Sequence, residues 1–215
     1  MKYIRKVICA FLFFLCAVPS ASADNKNQET WKFEVEVDGN PIGTHHFKKT
    51  YLEKTLLIES TAKFDVKVLF VNIFKYRHEN KEIWENGCVS SIESKTTANR
   101  KKFRVSAEKR EDQLNIRTIE ESKEYQGCIM TFAYWNKKFL EQTSLVNTQT
   151  GELVEVEITQ LDKKNTDLSG YLIESKGGPI KVWYSDSRWV ALESKLKNGR
   201  TLTYQLTDST DSPDR

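Results

Sequence analysis

In "WKFEVEV" (31–37), Trp31, Phe33, Val35 and Val37 alternate with Lys32, Glu34 and Glu36. This is the period-two signature of a strand with one buried and one solvated face. The pattern recurs along the chain. Residues 45–59 read as one or two strands, and "FDVKVLFVNIFKYRHENKEIWE" (64–85) as a bent or broken strand pair. "KFRVSAEK" (102–109) and "QLNIRTI" (113–119) alternate cleanly, with "REDQ" turning between them. Further strands are expected at 153–161, 168–175, 180–185, 189–197 and 201–207. Turn chemistry punctuates the runs. Gly39 and Gly43 in "DGNPIG" suit positive φ, Pro41 cannot continue a ladder, and Asn86-Gly87 and Asn198-Gly199 suit type I′ hairpins. About ten to twelve short strands with short connections predict an all-β fold. The expected form is a single highly curved antiparallel sheet, barrel-like or half-barrel, curled around one apolar interior.

One stretch breaks the alternation. In "YWNKKFLEQT" (134–143), Asn136 can cap a short helix that carries Phe139 and Leu140 on one side. Two turns of helix are marginal alone and need tertiary packing. The concave face of the sheet is the expected partner, with Tyr134 and Trp135 anchoring the start and the segment acting as a lid or plug.

The chain ends change the charge picture. Lys2, Arg5 and Lys6 precede an uncharged apolar run at 7–18, and Ala21 and Ala23 sit at the small-residue positions of a cleavage site. This predicts a signal peptide over 1–23, cleaved after Ala23, and a periplasmic or secreted product with no integral membrane segment. The expected organisation is then a frayed N-terminus at 24–29, one β domain at 30–207 and a disordered tail at 208–215. Of 33 Lys+Arg, three leave with the signal, so 30 remain against 30 Asp+Glu. Such a balance gives no global pull toward nucleic acid, and "NRKK" (99–102) reads as a solvated hairpin tip. Cys88 and Cys128 remain, and an oxidising compartment favours a bridge. A strand count opposes it: with two strands between them in a plain meander, the two cysteines start strands at opposite ends of the sheet.

"FKYRHENKEIWENG" (74–87), "YWNKKFLEQTSLVNTQTGEL" (134–153) and "VWYSDSRWVALESKLKNGRTLTYQL" (182–206) resemble an exported bacterial family, domain of unknown function 6134. The last stretch is also similar to the larger periplasmic family, domain of unknown function 3108. The resemblance covers about residues 31–206 and implies export and an all-β fold, with no activity to carry across. Cys88 stands where the family leads one to expect an aliphatic residue.

The candidate chemistry is sparse. His78 with Glu82 could serve a hydrolase as a general base. His45 and His46 are neighbours on a strand and face opposite ways, so they do not chelate one ion. The sequence contains no G-x-S-x-G, no H-E-x-x-H and no phosphate loop. We therefore expect no enzyme, no cofactor and no metal. Five tryptophans and many Phe and Tyr remain. They predict an interior lined by Phe70, Phe74, Trp84, Tyr134, Trp135, Phe139 and Trp183, with Trp135 and Phe139 as its gate. The leading expectation is a non-enzymatic binder or carrier of an apolar molecule such as a lipid or acyl chain. The alternative is a cell-envelope interaction protein with a solid core, which meets a protein partner through a sheet edge or hairpin tip.

Overall fold

The computed structural model describes residues 27–68, 71–162 and 167–210. The expected signal segment 1–23 and the candidate Phe70 lie outside them. Eight strands follow one another as an antiparallel meander: β1 (Gln28–Val37), β2 (Asn40–Tyr51), β3 (Thr55–Val68), β4 (Val71–Glu85), β5 (Cys88–Ala98), β6 (Lys101–Arg110), β7 (Gln113–Arg117) and β8 (Ser122–Gln126). The chain then leaves the sheet for a 3-10 helix (Lys137–Glu141) and a small hairpin, β9 (Ser144–Val146) with β10 (Leu153–Glu155). A second meander follows: β11 (Glu157–Gln160), β12 (Leu168–Glu174), β13 (Ile180–Ser185), β14 (Arg188–Lys195) and β15 (Thr201–Thr210). β15 pairs with β1, which joins the two meanders into one sheet of 13 strands running from β11 through β15 and β1 to β8.

The two edge strands, β8 and β11, do not pair with each other among the described residues. A closed barrel is therefore not formed there; the sheet is open. β1 begins at Gln28 and β15 runs to Thr210, so ordered pairing reaches further into both expected tails than the sequence suggests. The stretch 153–161, expected as one strand, is two. Its chain changes partners at Val156, whose N–H donates to the Thr143 carbonyl, with β10 pairing inward to β9 and β11 to β12.

Turn chemistry accounts for the hairpins. Asp38-Gly39 and Asn86-Gly87 take positive φ at both central positions, as a type I′ turn requires. At 198–199 only Gly199 does, and a Leu196–Gly199 turn, closed by the Gly199 N–H to the Leu196 carbonyl, replaces the expected type I′ turn. Pro41 lies inside β2 beside a register shift at Val35/Glu36, a place where a strand tolerates a missing donor. Gly43 is required by contact: a Cβ there would stand 1.9 Å from the Lys63 carbonyl oxygen.

The core is built from the residues that alternation assigns inward. Trp31 and Phe33 on β1 join Ile58, Trp84, Ile92, Val105, Leu114, Ile116, Val182, Tyr184 and Trp189. The segment between β8 and β11 supplies the other wall: Ile129, Met130, Ala133, Phe139, Leu145, Val146, Val154 and Val156 belong to the same cluster. Trp189 sits at its centre, with ring centroids 4.1 Å from Phe33, 5.3 Å from Phe47 and 5.1 Å from Tyr134.

Cys88 and Cys128 are bonded, with Cα atoms 5.2 Å apart. The strand count that opposed the bridge missed β8, whose polar sequence "SKEYQ" hides it. Four strands, β5 to β8, return the chain to the end where β5 begins, and Cys128 follows that return. The Val89 N–H donates to the Ile129 carbonyl beside the bridge. Closing a loop of 40 residues is worth about 4 kcal/mol in the chain-entropy view. Replacing both cysteines by serine should lower unfolding free energy by about that amount in urea titrations. Adding reductant to the wild type should reproduce the loss and leave the double variant unchanged.

Candidate functional site

The segment after β8 is held to the sheet at named points. Asn136 caps the 3-10 helix, its Oδ1 accepting from the Lys138 N–H at 3.2 Å. The cap is the one expected, but the helix is one tight turn and a half, not two α-turns. Phe139 is fully buried, and its ring meets Tyr134 edge-on at 5.6 Å. The Tyr184 hydroxyl donates to the Tyr134 carbonyl at 2.9 Å, and the Lys137 ammonium to the Asp186 carbonyl at 3.2 Å. Trp135 packs edge-on against Trp84 at 5.2 Å.

Where this segment meets the β1, β2 and β13–β14 ends, a cleft of about 760 Å³ opens. Its walls are Trp31, Tyr51, Leu56 and Trp135, with Lys49, Lys137, Lys138 and Arg188 opposed by Glu29 and Asp186. Lys49 donates to Glu29 at 3.2 Å and lies 4.5 Å from the Tyr51 ring and 5.4 Å from the Trp135 ring. The Tyr51 hydroxyl also donates to Glu29. Cation over ring is attractive because the π face is negative. The cleft thus couples flat aromatic walls to an excess of fixed positive charge.

The expected site residues divide sharply. Trp84, Tyr134, Trp135 and Phe139 do come together, but only Trp135 lines the cleft. Phe139 is a core residue with no exposed surface, so it does not serve as a gate in this state. Trp183 is corrected: it alternates outward from buried Val182 and Tyr184, and its indole covers Gly170, whose added Cβ would lie 3.0 Å from Nε1. Phe74 lies near the far end of β4, stacked on Tyr76 at 6.5 Å. Sequence reasoning missed Tyr51, Leu56, Lys49 and Arg188, and gave Trp31 only a core role. Their common signal is position: each lies close to a strand end at one rim of the sheet.

A second feature is a polar row on the inner face of β4. His78, Asn80 and Glu82 are all buried there, beside Ser94 and Thr96 of β5 and Ser60 of β3. His78 Nδ1 is 2.8 Å from the Thr96 hydroxyl. Glu82 accepts from Asn80 Nδ2 at 2.6 Å, Trp84 Nε1 at 2.7 Å and the Thr131 hydroxyl at 3.1 Å. Thr131 belongs to the covering segment, so the carboxyl joins it to the sheet. Burial pushes the Glu82 pKa up, against the pull of these three donors. Burial also lowers His78 to about 4, and lowers His45 well below the ordinary range, with the nearby His78 adding to it. The His45 and His78 rings are 6.5 Å apart, and neither nitrogen of His45 has a hydrogen-bond partner among the described residues. His78 and Glu82 are four residues apart on one strand, a span of about 13 Å. That distance does not make an acid–base pair, and neither residue lines the cleft. Among the described residues no group of three or more His, Cys, Asp or Glu could hold a metal ion.

The architecture defines a class: an all-β, barrel-like protein made of one large antiparallel sheet whose inner-face core is shared with its own inserted segment. A solved structure with this class of fold is a beta-barrel-like protein of domain of unknown function DUF1849 from Brucella abortus. It matches with a TM-score of 0.59 at 7% identity, covering 86% of this chain and 97% of that one. The chain belongs to the family Domain of unknown function (DUF6134), whose model matches residues 33–207. Comparison with curated proteins gives no match.

Glu82→Leu would leave three buried donors without an acceptor, and should cost about 3 kcal/mol or more in urea titration. Glu82→Gln should cost less, because the Asn80 amide, whose Oδ1 has no partner, can turn to accept from the new NH₂. The pH dependence separates the histidine from the carboxyl. With a folded pKa depressed from 6.5 to about 4, His78 contributes stability that is present above pH 6.5 and lost as pH falls toward 4. The loss is of order 3 kcal/mol. Glu82, raised above 4.5, acts oppositely: its contribution is present below that value and lost as pH rises. His78→Gln should therefore flatten the fall in melting temperature between pH 6.5 and 4, while Glu82→Gln should steepen it.

Proposed function

We propose that this protein is an exported, non-enzymatic binder that takes an amphiphile with an anionic head into the cleft beside Trp135. The observation that carries the reading is the pairing of aromatic walls with unequal charge, four basic against two acidic side chains, in one cleft of about 760 Å³. That volume lies in the range of small-molecule sites. An acyl chain would lie along Trp31, Leu56 and Trp135, and its head would meet Lys49 and Arg188 at the rim. Export rests on the basic, apolar and small-residue pattern of positions 2–23.

This differs from a carrier that encloses its cargo. Phe139, Leu145 and Val146 are fully buried, so the space such a cargo would need is filled by the chain itself. The same filling favours the other reading, an envelope interaction protein with a solid core and no ligand.

The deciding experiment is native mass spectrometry of gently purified exported protein, followed by titration with a long-chain fatty acid and with the matching alcohol. The binder reading expects a discrete adduct or saturable binding of the acid, weaker binding of the alcohol, and at least tenfold loss of acid affinity in Arg188→Gln or Trp135→Ala (about 1.4 kcal/mol). A clean apo mass with no saturable binding of either probe would favour the solid-core reading.

A further inference from the structure

His45 and His78 come together although their strands do not pair. His45 of β2 stands opposite Ala62 of β3, and Ala62 stands opposite His78 of β4. In a flat sheet the two backbones would be two strand spacings apart, about 10 Å. Only the methyl group of Ala62 lies between them in that row, and the rings converge over it. Their centroids are 6.5 Å apart and their planes stand at right angles. The strand neighbours His45 and His46 face opposite ways; the sheet supplies the second imidazole from β4 instead.

The surrounding hydrogen bonds determine which nitrogens carry lone pairs. Burial raises the Tyr76 pKa to about 12, and the Thr96 hydroxyl, donating to the phenol oxygen, lowers it in part. Tyr76 in turn donates to Gln149 Oε1 at 2.8 Å. With its one proton committed, the Thr96 oxygen accepts from His78 Nδ1 at 2.8 Å, and the neutral ring keeps its lone pair on Nε2. Both ring nitrogens of His45 are buried, and neither has a partner among the described residues. Burial lowers both histidine pKa values, so protons do not compete for these lone pairs at neutral pH. Aromatic rings surround the pair: Phe47, Tyr204 and Phe64 lie 4.1, 5.8 and 6.4 Å from His45, and Tyr76 lies 6.2 Å from His78. Among the described residues no third His, Cys, Asp or Glu completes a larger ligand set.

We propose that His45 and His78 form a two-coordinate site for a univalent coinage-metal ion, copper or silver, held between their free ring nitrogens. Imidazole suits copper, and closed-shell univalent ions accept two neutral nitrogen ligands in a line. With the metal about 2 Å from each nitrogen, ring centres in a linear pair are about 6 Å apart, against about 5 Å in a tetrahedral one. The 6.5 Å separation lies beside the linear value. A twist of the rings about their common axis leaves that line straight. A zinc ion would want two further ligands, which this pair does not bring. The negative faces of the neighbouring rings offset part of the cost of burying one positive charge. Neither histidine lines the cleft beside Trp135, so the site does not depend on what the cleft holds.

Titration of the exported protein with silver nitrate in chloride-free buffer tests this, with silver added to folded protein or present during refolding from urea. Native mass spectrometry should show a single saturable silver adduct, and nitrogen NMR should show a shifted ring nitrogen in both His45 and His78. His45→Phe, which keeps the stacking on Phe47, and His78→Gln should each weaken binding at least roughly tenfold. His46→Gln should leave it unchanged, and zinc should bind at least roughly tenfold more weakly than silver. Circular dichroism checks that each variant keeps its fold, and the NMR shifts test the wild type independently of any variant. The absence of a saturable adduct under both loading conditions overturns the proposal, as do unshifted histidine nitrogens or equal affinity for zinc. Binding that survives both histidine substitutions also overturns it and places the ion elsewhere, as on the buried Met130 thioether.

Discussion

The structure depends on one constraint: a 13-stranded sheet has an apolar inner face, and something must keep water from it. A closed barrel would solve this by curling the sheet fully on itself. Here the edge strands β8 and β11 do not pair with each other among the described residues, and residues from the segment between them enter the same cluster as the sheet residues. Fully buried Phe139, Leu145 and Val146 on that segment answer fully buried Phe33, Ile92 and Tyr184 on the strands. The larger core belongs to both sides, while a smaller cluster of Val35, Ala62 and Phe64 belongs to the sheet alone. This explains why the segment is fixed so often, by the Cys88–Cys128 bridge, the Thr131 bond to Glu82 and the Tyr184 bond to Tyr134.

Glu82 shows the same constraint from its polar side. Burying a carboxyl costs several kcal/mol unless its oxygens are satisfied. Its three donors come from β4 itself and from the covering segment, so satisfaction of the group requires the segment to be seated. A hydrophobic residue there would pack against the segment in many ways; a carboxyl with directional donors accepts few. The buried row therefore favours one register of the segment on the sheet, at some cost in stability.

Much of the sheet was legible because its residues obey local rules. Trp31 to Val37 alternate, and the inward set is the buried set. Asn136 caps where its side chain says it should. The failures were non-local. β8 carries Tyr125 among Ser122, Lys123, Glu124 and Gln126, so no apolar period announces it, and losing one strand reversed the argument about the cysteines. Trp183 was grouped with the interior aromatics, whereas strand parity with Tyr184 puts it outside, over the gap that Gly170 leaves in the backbone surface. The cleft was legible only at Trp135. Lys49, Tyr51 and Leu56 come from the β2–β3 hairpin and Arg188 from the β13–β14 hairpin, and the 13-strand order brings the two ends to one rim.

That strand order also determines how the two ends of the molecule can differ. In a meander, alternate turns fall on opposite rims, so side chains near odd-numbered and even-numbered turns are segregated without any long-range signal in sequence. The rim at Gly87 and Asp186 gathers the aromatic and basic walls of the cleft, while the rim at Asn99 and Ile119 sets Lys101 and Lys102 across from Glu120 and Glu121. The inner-face core and its polar row lie between them and join the rims mechanically, through strands as long as the 15 residues of β4. A sheet filled by its own chain has little room to move cargo through its centre. Function at a rim is then the form that the packing leaves open, as in the cleft reading proposed above.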